Sequence, residues 1–444
     1  MTLKLNSEVF LVPDGGSYIV YAPLRFTILK VSPQHVNLLV RLKRGRPRKE
    51  DADTDFVKSL VKAGVVDGKP ESKPPTCVGK SYAPTSVTLL LTSRCNLACV
   101  YCYAGRQIRD LVMPLKTGMA AIDYIAENCK ARGQGELEIG FHGGGEPTMA
   151  WKELQSLIGY AKSIAKEKGL ELRSGIATNG CLSAEKAQWV ADNLAYVNIS
   201  LDGPPRIQDR HRPMKNGKRS SKVIRRTMQI LEAAGTPYGI QATVTKDTVH
   251  EMPAIVRYFS RYAKPNIVKF EPVCACGRYF GHERNIPLDK QFAHFFNEAY
   301  EVGVKLGLRV SFSAVRGFEH GISVFCGAFA EPFVVTPDGN VSACYEAYST
   351  EAPYADMFFF GRFDVGTQKF VLDLKKLEKL RRRNVYTLRR CRNCFCKYTC
   401  AGDCATRAFR RAGRVDLTLA GARCEAIRAI TQHRLKSILE SATA

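Results

Sequence analysis

The sequence lacks an apolar run long enough to cross a membrane, and residues 1–10 lack the basic segment and apolar core of a secretory signal. No internal repeat or low-complexity segment is evident, which argues against a repeat or fibrous architecture. We therefore expect a cytoplasmic protein without a membrane partner. In a reducing compartment its 16 cysteines stay free of disulfides.

Acidic residues are scarce, since 42 Asp and Glu stand against 66 Lys and Arg, for a formal net charge of +24. The densest basic runs are residues 41–49 and 375–414. The run 41–49 could bind nucleic acid, but it has no interleaved aromatic residues, and solvated basic loops are common. We therefore expect an acidic peptide or protein as partner and regard nucleic acid as the less favoured one.

Three cysteines without an obvious fourth, Cys95, Cys99 and Cys102, follow the apolar, β-prone segment 87–92. Folds with parallel α/β sheets place their active sites at the carboxyl ends of buried strands. A zinc site completed by a distant residue and a chance grouping of buried cysteines are the alternatives, but thiolate zinc sites usually come as two CxxC-like pairs. Three thiolates suit a [4Fe–4S] cluster that leaves one iron open for a substrate.

The spacing CxxxCxxC, with the aromatic Tyr101 before its last cysteine, resembles the radical S-adenosylmethionine (SAM) superfamily. The resemblance implies that the open iron binds the amino and carboxylate groups of SAM and that Tyr101 belongs to the SAM site. It also implies that reduction of the cluster cleaves SAM to a 5′-deoxyadenosyl radical, which abstracts a hydrogen from the substrate.

The segment 142–147, HGGGEP, follows a second strand-like run and resembles the GGEP motif of that superfamily. Glycines let the backbone approach a ligand closely, and a carboxylate accepts hydrogen bonds from an ammonium group. A tight turn without a ligand is the alternative. The resemblance implies that Gly144, Gly145 and Glu146 contact the SAM amino group.

A third polar strand end, at 197–203, continues to Arg212 and resembles the SLDGP and arginine pattern of peptide-modifying radical SAM enzymes. The resemblance implies that Ser200 and Asp202 lie near the SAM ribose and that Arg212 lies near its carboxylate. For Arg212, a surface arginine without a ligand is the alternative.

Seven further cysteines lie near the end of the chain, in the order CX9–15GX4C, CX2CX5CX3C and a final C, a pattern that resembles the SPASM domain with its two auxiliary [4Fe–4S] clusters. The resemblance assigns one cluster to Cys391, Cys394, Cys400 and Cys424, and the other to Cys326, Cys344 and Cys404.

The second set, Cys326, Cys344 and Cys404, is one ligand short. His320, a distant cysteine and an open iron are the three possibilities, and an ordinary loop histidine is the alternative for His320. Zinc is the alternative metal for this region.

The strand-like segment 266–270 leads into Glu271, Cys274 and Cys276. Glu271 is the best placed carboxylate to remove a proton from a substrate, and a salt-bridged structural carboxylate is the alternative. We favour the interpretation that Cys274 and Cys276 are structural thiols. The alternatives are that they are metal ligands or a redox pair.

Repeated strands, polar strand ends and helices predict an α/β fold, a partial (β/α)6 TIM-like radical SAM barrel over 86–312. We expect a small N-terminal α+β element at 1–68, with a hairpin over 9–13 and 17–21 and helices over 33–44 and 54–62. A Pro- and Gly-rich linker at 69–85 and a C-terminal cysteine-rich SPASM domain at 313–444 complete the chain. The element at 1–68 either holds a leader peptide or only packs on the barrel.

The resemblance, which extends to anaerobic sulfatase-maturase-like and peptide-maturase enzymes, implies a radical SAM enzyme that modifies a peptide or protein. The expected cofactors are SAM, its [4Fe–4S] cluster and two auxiliary [4Fe–4S] clusters, with flavodoxin or ferredoxin as the low-potential electron donor. Two rival hypotheses are a radical SAM enzyme that acts on RNA or a small metabolite, and an iron–sulfur electron carrier or scaffold.

Overall fold

The structure is a computed structural model that describes residues 3–6, 8–69, 71–105, 110–318, 320–352 and 354–443. Its N-terminal part is a three-stranded antiparallel sheet followed by two helices. These elements are β1 Phe10–Asp14, β2 Ser17–Ala22, β3 Thr27–Val31, α1 Pro33–Lys43 and α2 Asp55–Lys62. The predicted hairpin is present, and its turn uses Gly15 and Gly16 in the left-handed region (φ +48° and +87°). The third strand was not expected from the sequence.

The middle of the chain alternates strands and helices. Its elements are β4 Ser86–Leu90, α3 Leu115–Ala131, β5 Glu136–His142, α4 Trp151–Lys168, β6 Glu171–Thr178, α5 Ala184–Asn193, β7 Tyr196–Ser200, α6 Pro205–His211, α7 Ser221–Ala233, β8 Tyr238–Val244, α8 Met252–Tyr262, β9 Ile267–Pro272, α9 Asp289–Lys305 and β10 Val310–Ser311. Strands β4 to β10 pair in parallel and in chain order, as in a partial barrel.

The C-terminal part adds short elements around its cysteines. They are β11 Val334–Val335, β12 Asn340–Ser342, α10 Ala355–Phe358, β13 Phe359–Asp364, β14 Lys369–Leu372, α11 Leu374–Arg381, α12 Lys397–Cys400, α13 Ala405–Ala412 and α14 Cys424–Thr443. Strand β11 pairs in parallel with β4, and β12, β13 and β14 follow in antiparallel order. The result is one eleven-stranded sheet with edges at β10 and β14.

The predicted α/β fold with a partial barrel is confirmed by this topology, in which seven parallel strands, β4 to β10, take part. The sequence did not reveal that the C-terminal region continues the barrel sheet. Short strands such as β11 carry too few residues for a period-two pattern to be recognised. Among the described residues, no helix is both long and apolar enough to cross a membrane.

The N-terminal sheet docks on the C-terminal part of the chain. Val12, Ile19 and Tyr21 form a buried cluster with Leu435 of α14. Beside it, the Lys397 ammonium donates to both carboxylate oxygens of Glu8 at 3.0 and 3.1 Å. These side chains are only 8% and 7% exposed. The N-terminal element is therefore part of the packing around the C-terminal cysteines.

This buried ion pair yields a stability prediction. Glu8→Ala leaves the Lys397 charge buried and without its carboxylate partner, which costs about 3 kcal/mol. We expect the melting temperature of the cluster-loaded protein to fall by several degrees in a thermal scan. Glu50→Ala is the matched control, because the Arg48–Glu50 pair is 64% and 74% exposed and contributes little. Equal melting temperatures for Glu8→Ala and wild type would contradict this account.

Candidate active site

The carboxyl ends of the parallel strands surround one cavity of about 760 Å³. Cys95, Cys99 and Cys102, which come from the loop after β4, line it together. The other expected SAM-site residues on its wall are Tyr101, Gly144, Gly145, Glu146, Ser200 and Arg212. Residues from four separate chain segments thus meet at one place. Asp202 is fully buried beneath this group.

The cysteine loop and the glycine turn are joined through their backbones. The Gly145 N–H donates to the Thr92 carbonyl at 2.9 Å, and the Glu146 N–H donates to the Arg94 carbonyl at 2.7 Å. A Cβ on Gly145 would lie 2.1 Å from the Arg94 oxygen. Glycine is therefore required for this approach, and the turn fixes the loop that carries the three cysteines.

The carboxylate of Glu146 is buried and held by its own chain. One oxygen accepts from the Thr178 hydroxyl at 2.7 Å and from the Thr148 hydroxyl at 2.8 Å, and the other accepts from the Asn179 N–H at 2.7 Å. Burial raises the pKa of Glu146, although these hydrogen bonds act in the opposite direction. The side chain therefore fixes the turn as well as facing the cavity.

Asn179 was not singled out from the sequence, although it stands at a polar strand end after β6. Its side-chain amide donates to the Asn96 side-chain oxygen at 2.7 Å and approaches the Cys95 sulfur at 3.8 Å. Asn179 thus ties the strand end to the cysteine loop. A polar residue just after a parallel strand was the only available signal.

Asp202 organises the wall on the other side of the cavity. Its carboxylate accepts from Arg212 Nε at 3.1 Å and from the Thr243 N–H at 2.9 Å, and it contacts His211 Nδ1 at 3.3 Å. It also accepts from the Tyr101 hydroxyl. Although burial acts to raise its pKa, the charge of Arg212 and the hydrogen bond from His211 lower the pKa of Asp202 to about 2. Asp202 stays ionised and orients Arg212 and Tyr101.

Glu271 also lines the cavity, but it is already paired. Its carboxylate accepts from Arg423 Nη1 at 2.8 Å and from the Ser313 N–H at 2.8 Å. Burial acts to raise its pKa, but the guanidinium groups of Arg423 and Arg407 outweigh it and lower the pKa of Glu271. A carboxylate of lowered pKa is a weak proton acceptor. The geometry therefore matches the salt-bridged alternative better than the role of a base.

The C-terminal cysteines lie in two regions of the fold. Cys391, Cys394, Cys400 and Cys424 line one cavity, together with Cys396. The other group consists of Cys326, Cys344 and Cys404. The pKa of Cys344 is raised first by burial and then by the charges of Glu346, Cys404 and Cys326, so Cys344 lies close to these three side chains.

The second group, Cys326, Cys344 and Cys404, is one ligand short of a four-cysteine set. His320, the histidine considered as its fourth ligand, is exposed, whereas the three cysteines are half-buried. The carboxylate of Glu346 is the charged group beside both Cys344 and Cys404. The exposure of His320 fits the alternative of an ordinary loop histidine.

Among the residues that the structure describes, no three Cys, His, Asp or Glu side chains converge closely enough to hold one metal ion.

Comparison with known families agrees with this geometry. Residues 89–259 match the profile of the Radical SAM superfamily. The chain carries a radical SAM domain. Its Cys95, Cys99 and Cys102 and its glycine turn all lie within the matched residues.

Two relatives illustrate how much of the chain is shared. The Fe-coproporphyrin III synthase of Methanosarcina barkeri is 35% identical over 189 residues, which are 42% of this chain and 43% of that enzyme. The cysteine-type anaerobic sulfatase-maturating enzyme of Clostridium novyi is 25% identical over 274 residues, 57% of this chain and 71% of that enzyme. The chain thus spans less than half of the first relative's length and most of the second's.

Solved structures share the fold over a longer stretch. The structure of anSMEcpe with bound AdoMet has a TM-score of 0.63 at 19% identity and covers 81% of this chain and 96% of that one. Streptococcus suis SuiB bound to its precursor peptide SuiA has a TM-score of 0.55 at 13% identity, covering 95% and 99%. The likeness extends beyond the barrel, so the cysteine-rich C-terminal region of this chain belongs to the shared fold.

The contacts of Asp202 yield a prediction about SAM binding. Asp202→Asn removes the charge that orients Arg212, so we expect SAM to bind more weakly, by about tenfold for the loss of one charge-assisted contact. Equilibrium binding of SAM to the anaerobic, cluster-loaded protein measures this. Glu251→Gln is the control, because it breaks the partly exposed ion pair between Glu251, which precedes α8, and Arg206 of α6 without touching the cavity. Unchanged SAM affinity in Asp202→Asn would show that Arg212 does not need the Asp202 carboxylate to hold it in place for SAM binding.

Proposed function

We propose that this radical SAM protein cleaves SAM reductively and uses the resulting radical to modify a peptide or protein. The observation that carries the proposal is the convergence of Cys95, Cys99 and Cys102 with the glycine turn 143–145, Ser200 and Arg212 on one cavity. An electron carrier or scaffold has no need of such a pocket beside its cluster.

Each group on the cavity wall has a proposed task. Cys95, Cys99 and Cys102 hold a [4Fe–4S] cluster, which with SAM supplies a carbon radical strong enough to break a C–H bond. The backbone of Gly144 and Gly145, with Glu146, accepts hydrogen bonds from the SAM ammonium group. Arg212, held by Asp202, pairs with the SAM carboxylate. Ser200 and Tyr101 line the side where the nucleoside part of SAM fits.

A second cavity supports a peptide as substrate. It has a volume of about 890 Å³ and shares Tyr103, Val273, Cys274, Cys276 and Arg407 with the first, so the two are adjoining. That volume is large enough to admit a segment of polypeptide. Structures of anSMEcpe with a Cp18Cys peptide and of SuiB with its precursor peptide show that proteins of this fold bind peptides.

The charges of the second cavity support an acidic segment. Its wall includes five arginines, namely Arg407, Arg410, Arg411, Arg414 and Arg423, against three carboxylates, namely Glu283, Asp289 and Glu351. Arg410, Arg414 and Arg423 are already paired with Glu346, Asp416 and Asp403. Arg407 and Arg411 contact backbone carbonyls instead, so these two could pair with an Asp or Glu of a bound peptide. The basic run 41–49 gives less support to nucleic acid as a partner, because its Arg41 is already paired with the buried Asp51.

The C-terminal cysteines are proposed to form a SPASM domain over 313–444 with two auxiliary [4Fe–4S] clusters. Cys391, Cys394, Cys400 and Cys424 hold one cluster, and Cys326, Cys344 and Cys404 hold the other with one iron open. These clusters would accept the electron left on the substrate after hydrogen abstraction. A flavodoxin or ferredoxin is the proposed reductant. The cytoplasm is the proposed compartment, because a reducing compartment keeps cluster-binding cysteines reduced.

The first test of the proposal measures iron and SAM cleavage together. Anaerobically reconstituted protein should hold about twelve iron atoms and form 5′-deoxyadenosine from SAM under a low-potential reductant. Replacing Cys95, Cys99 and Cys102 together by alanine removes the barrel ligands, so we expect about four iron atoms and all SAM cleavage to be lost. Cys129→Ala, a buried thiol on α3 outside the three sets, is the control.

Two outcomes of that test would contradict the proposal. SAM cleavage that persists in the triple variant would show that the cluster lies elsewhere. Cluster-loaded wild type that never forms 5′-deoxyadenosine would favour the electron carrier or scaffold.

A second test concerns the auxiliary cluster that is one ligand short. An open iron binds an added thiolate, so N-acetylcysteine amide should change the electron paramagnetic resonance spectrum of that cluster, whereas N-acetylserine amide should not. If His320 is the fourth ligand, His320→Ala alone changes the spectrum. The SAM-cluster triple variant is used for both measurements, so that only the auxiliary clusters contribute. A spectrum that responds to neither change would contradict both an open iron and a histidine ligand.

A further inference from the structure

Two cysteines that the proposed clusters do not use lie where the two cavities meet. Cys274 and Cys276 follow β9 at the carboxyl end of the sheet. Both residues line the first cavity, of about 760 Å³, and the second cavity, of about 890 Å³. Cys274 is half-buried, and Cys276 is 6% exposed. A molecule in either cavity can therefore reach the sulfur of Cys274.

The backbone brings the two sulfurs together. The Cys276 N–H donates to the Cys274 carbonyl at 2.8 Å, which closes a three-residue turn. In an extended strand, residues two apart share a face but lie too far apart for their sulfurs to touch, and the turn shortens that separation. The two sulfurs are 2.8 Å apart. The local fold thus presents a thiol pair and not two isolated cysteines.

Cationic side chains surround the Cys274 sulfur. Arg410 Nη1 lies 3.8 Å from it, and Arg407 is held nearby by its bond to the Pro272 carbonyl at 3.0 Å. Glu346 pairs with Arg410. The hydrogen bond from Cys276 lowers the pKa of Cys274, and the same bond raises the pKa of Cys276. One sulfur is thus favoured as a thiolate and the other as a thiol.

Of the other unassigned cysteines, Cys396 is paired in a similar way with Cys394 beside Arg428, but neither of these two lines the two cavities. Cys129, Cys181 and Cys396 are buried, and Cys77 is half-buried in the linker. Within the described residues, Cys274 and Cys276 are the two unassigned cysteines on the wall of the cavities proposed for SAM and peptide. They are therefore the thiols that an incoming peptide would meet.

We propose that Cys274 and Cys276 form a thiol–disulfide exchange site that opens a disulfide of a cysteine-bearing peptide in the adjoining cavities. That the ligand is a peptide rests on the proposed function, whereas the exchange itself needs no SAM. The site would deliver free peptide thiols at the wall of the reaction cavity.

The exchange balances with a dithiol reductant as its co-reactant. The Cys274 thiolate attacks one sulfur of the peptide disulfide, which forms a mixed disulfide and releases the other sulfur as a thiolate that takes the Cys276 proton. The Cys276 thiolate then attacks the Cys274 sulfur, which forms the Cys274–Cys276 disulfide and releases the second peptide thiolate. Two electrons pass from the pair to the peptide, and a cellular dithiol reductant returns them to the pair.

The test traps the mixed disulfide in the anaerobic, cluster-loaded protein without SAM. The probe is a synthetic nonapeptide closed by a single disulfide, and the readout is the mass of the protein and of its proteolytic peptides. Cys276→Ser should retain the peptide on Cys274, because the resolving thiol is absent. Cys274→Ser should retain none, and wild type should release the linear dithiol peptide and form the Cys274–Cys276 disulfide. Cys77→Ser is the control and should behave as wild type.

Several results would overturn the site. A mixed disulfide on another cysteine, or equal trapping in Cys274→Ser and Cys276→Ser, removes the assigned nucleophile. A lower iron content or a changed cluster spectrum in Cys274→Ser, with no trapping in Cys276→Ser, makes the pair a cluster ligand. Because SAM is absent, failure of this exchange and failure of SAM cleavage are separate observations.

Discussion

The candidate site depends on the backbone contact between the cysteine loop and the glycine turn. The loop after β4 must hold three thiols in an irregular conformation, and loops of this kind have few hydrogen bonds of their own. Here the carbonyls of Thr92 and Arg94 accept from the backbone of Gly145 and Glu146. These hydrogen bonds attach the loop to the turn that follows the neighbouring strand, so the cysteine loop and the glycine turn form one backbone unit.

Buried charge pairs complete the scaffold around that unit. Asp202 holds Arg212 on one wall, and Arg423 joins Glu271 of the barrel to Asp403 beside Cys404. A buried charge without a partner is costly, so each pair fixes two segments with respect to each other. The Arg423 bridge links β9 to the cysteine-rich region and so holds the cavity wall at Glu271 against the segment that carries Cys404.

The sequence predicted much of this because its informative residues sit in short segments. The triplet Cys95, Cys99 and Cys102, the glycine turn and the hairpin at Gly15 each follow from local spacing or turn chemistry, and the structure has the hairpin and the strand order. The role of Asp202 as a buried anchor was not visible, because its partners His211, Arg212 and Thr243 come together only through the barrel. The docking of Glu8 on Lys397 spans almost the whole chain and leaves no local pattern.

Some of the excess basic residues have a structural role in the folded chain. Arg383 is buried and donates to the carbonyls of Gly402, Asp403 and Leu419, within the electrostatic reach of Cys326 and Cys404. Clusters held by thiolates carry negative charge, and a buried guanidinium beside them offsets part of it.

The same logic extends toward the thiol pair through Arg410. Its guanidinium contacts both Glu346, which neighbours Cys344, and the sulfur of Cys274. Arg410 therefore connects the C-terminal cysteine region to the wall of the second cavity, a link that sequence spacing alone does not show.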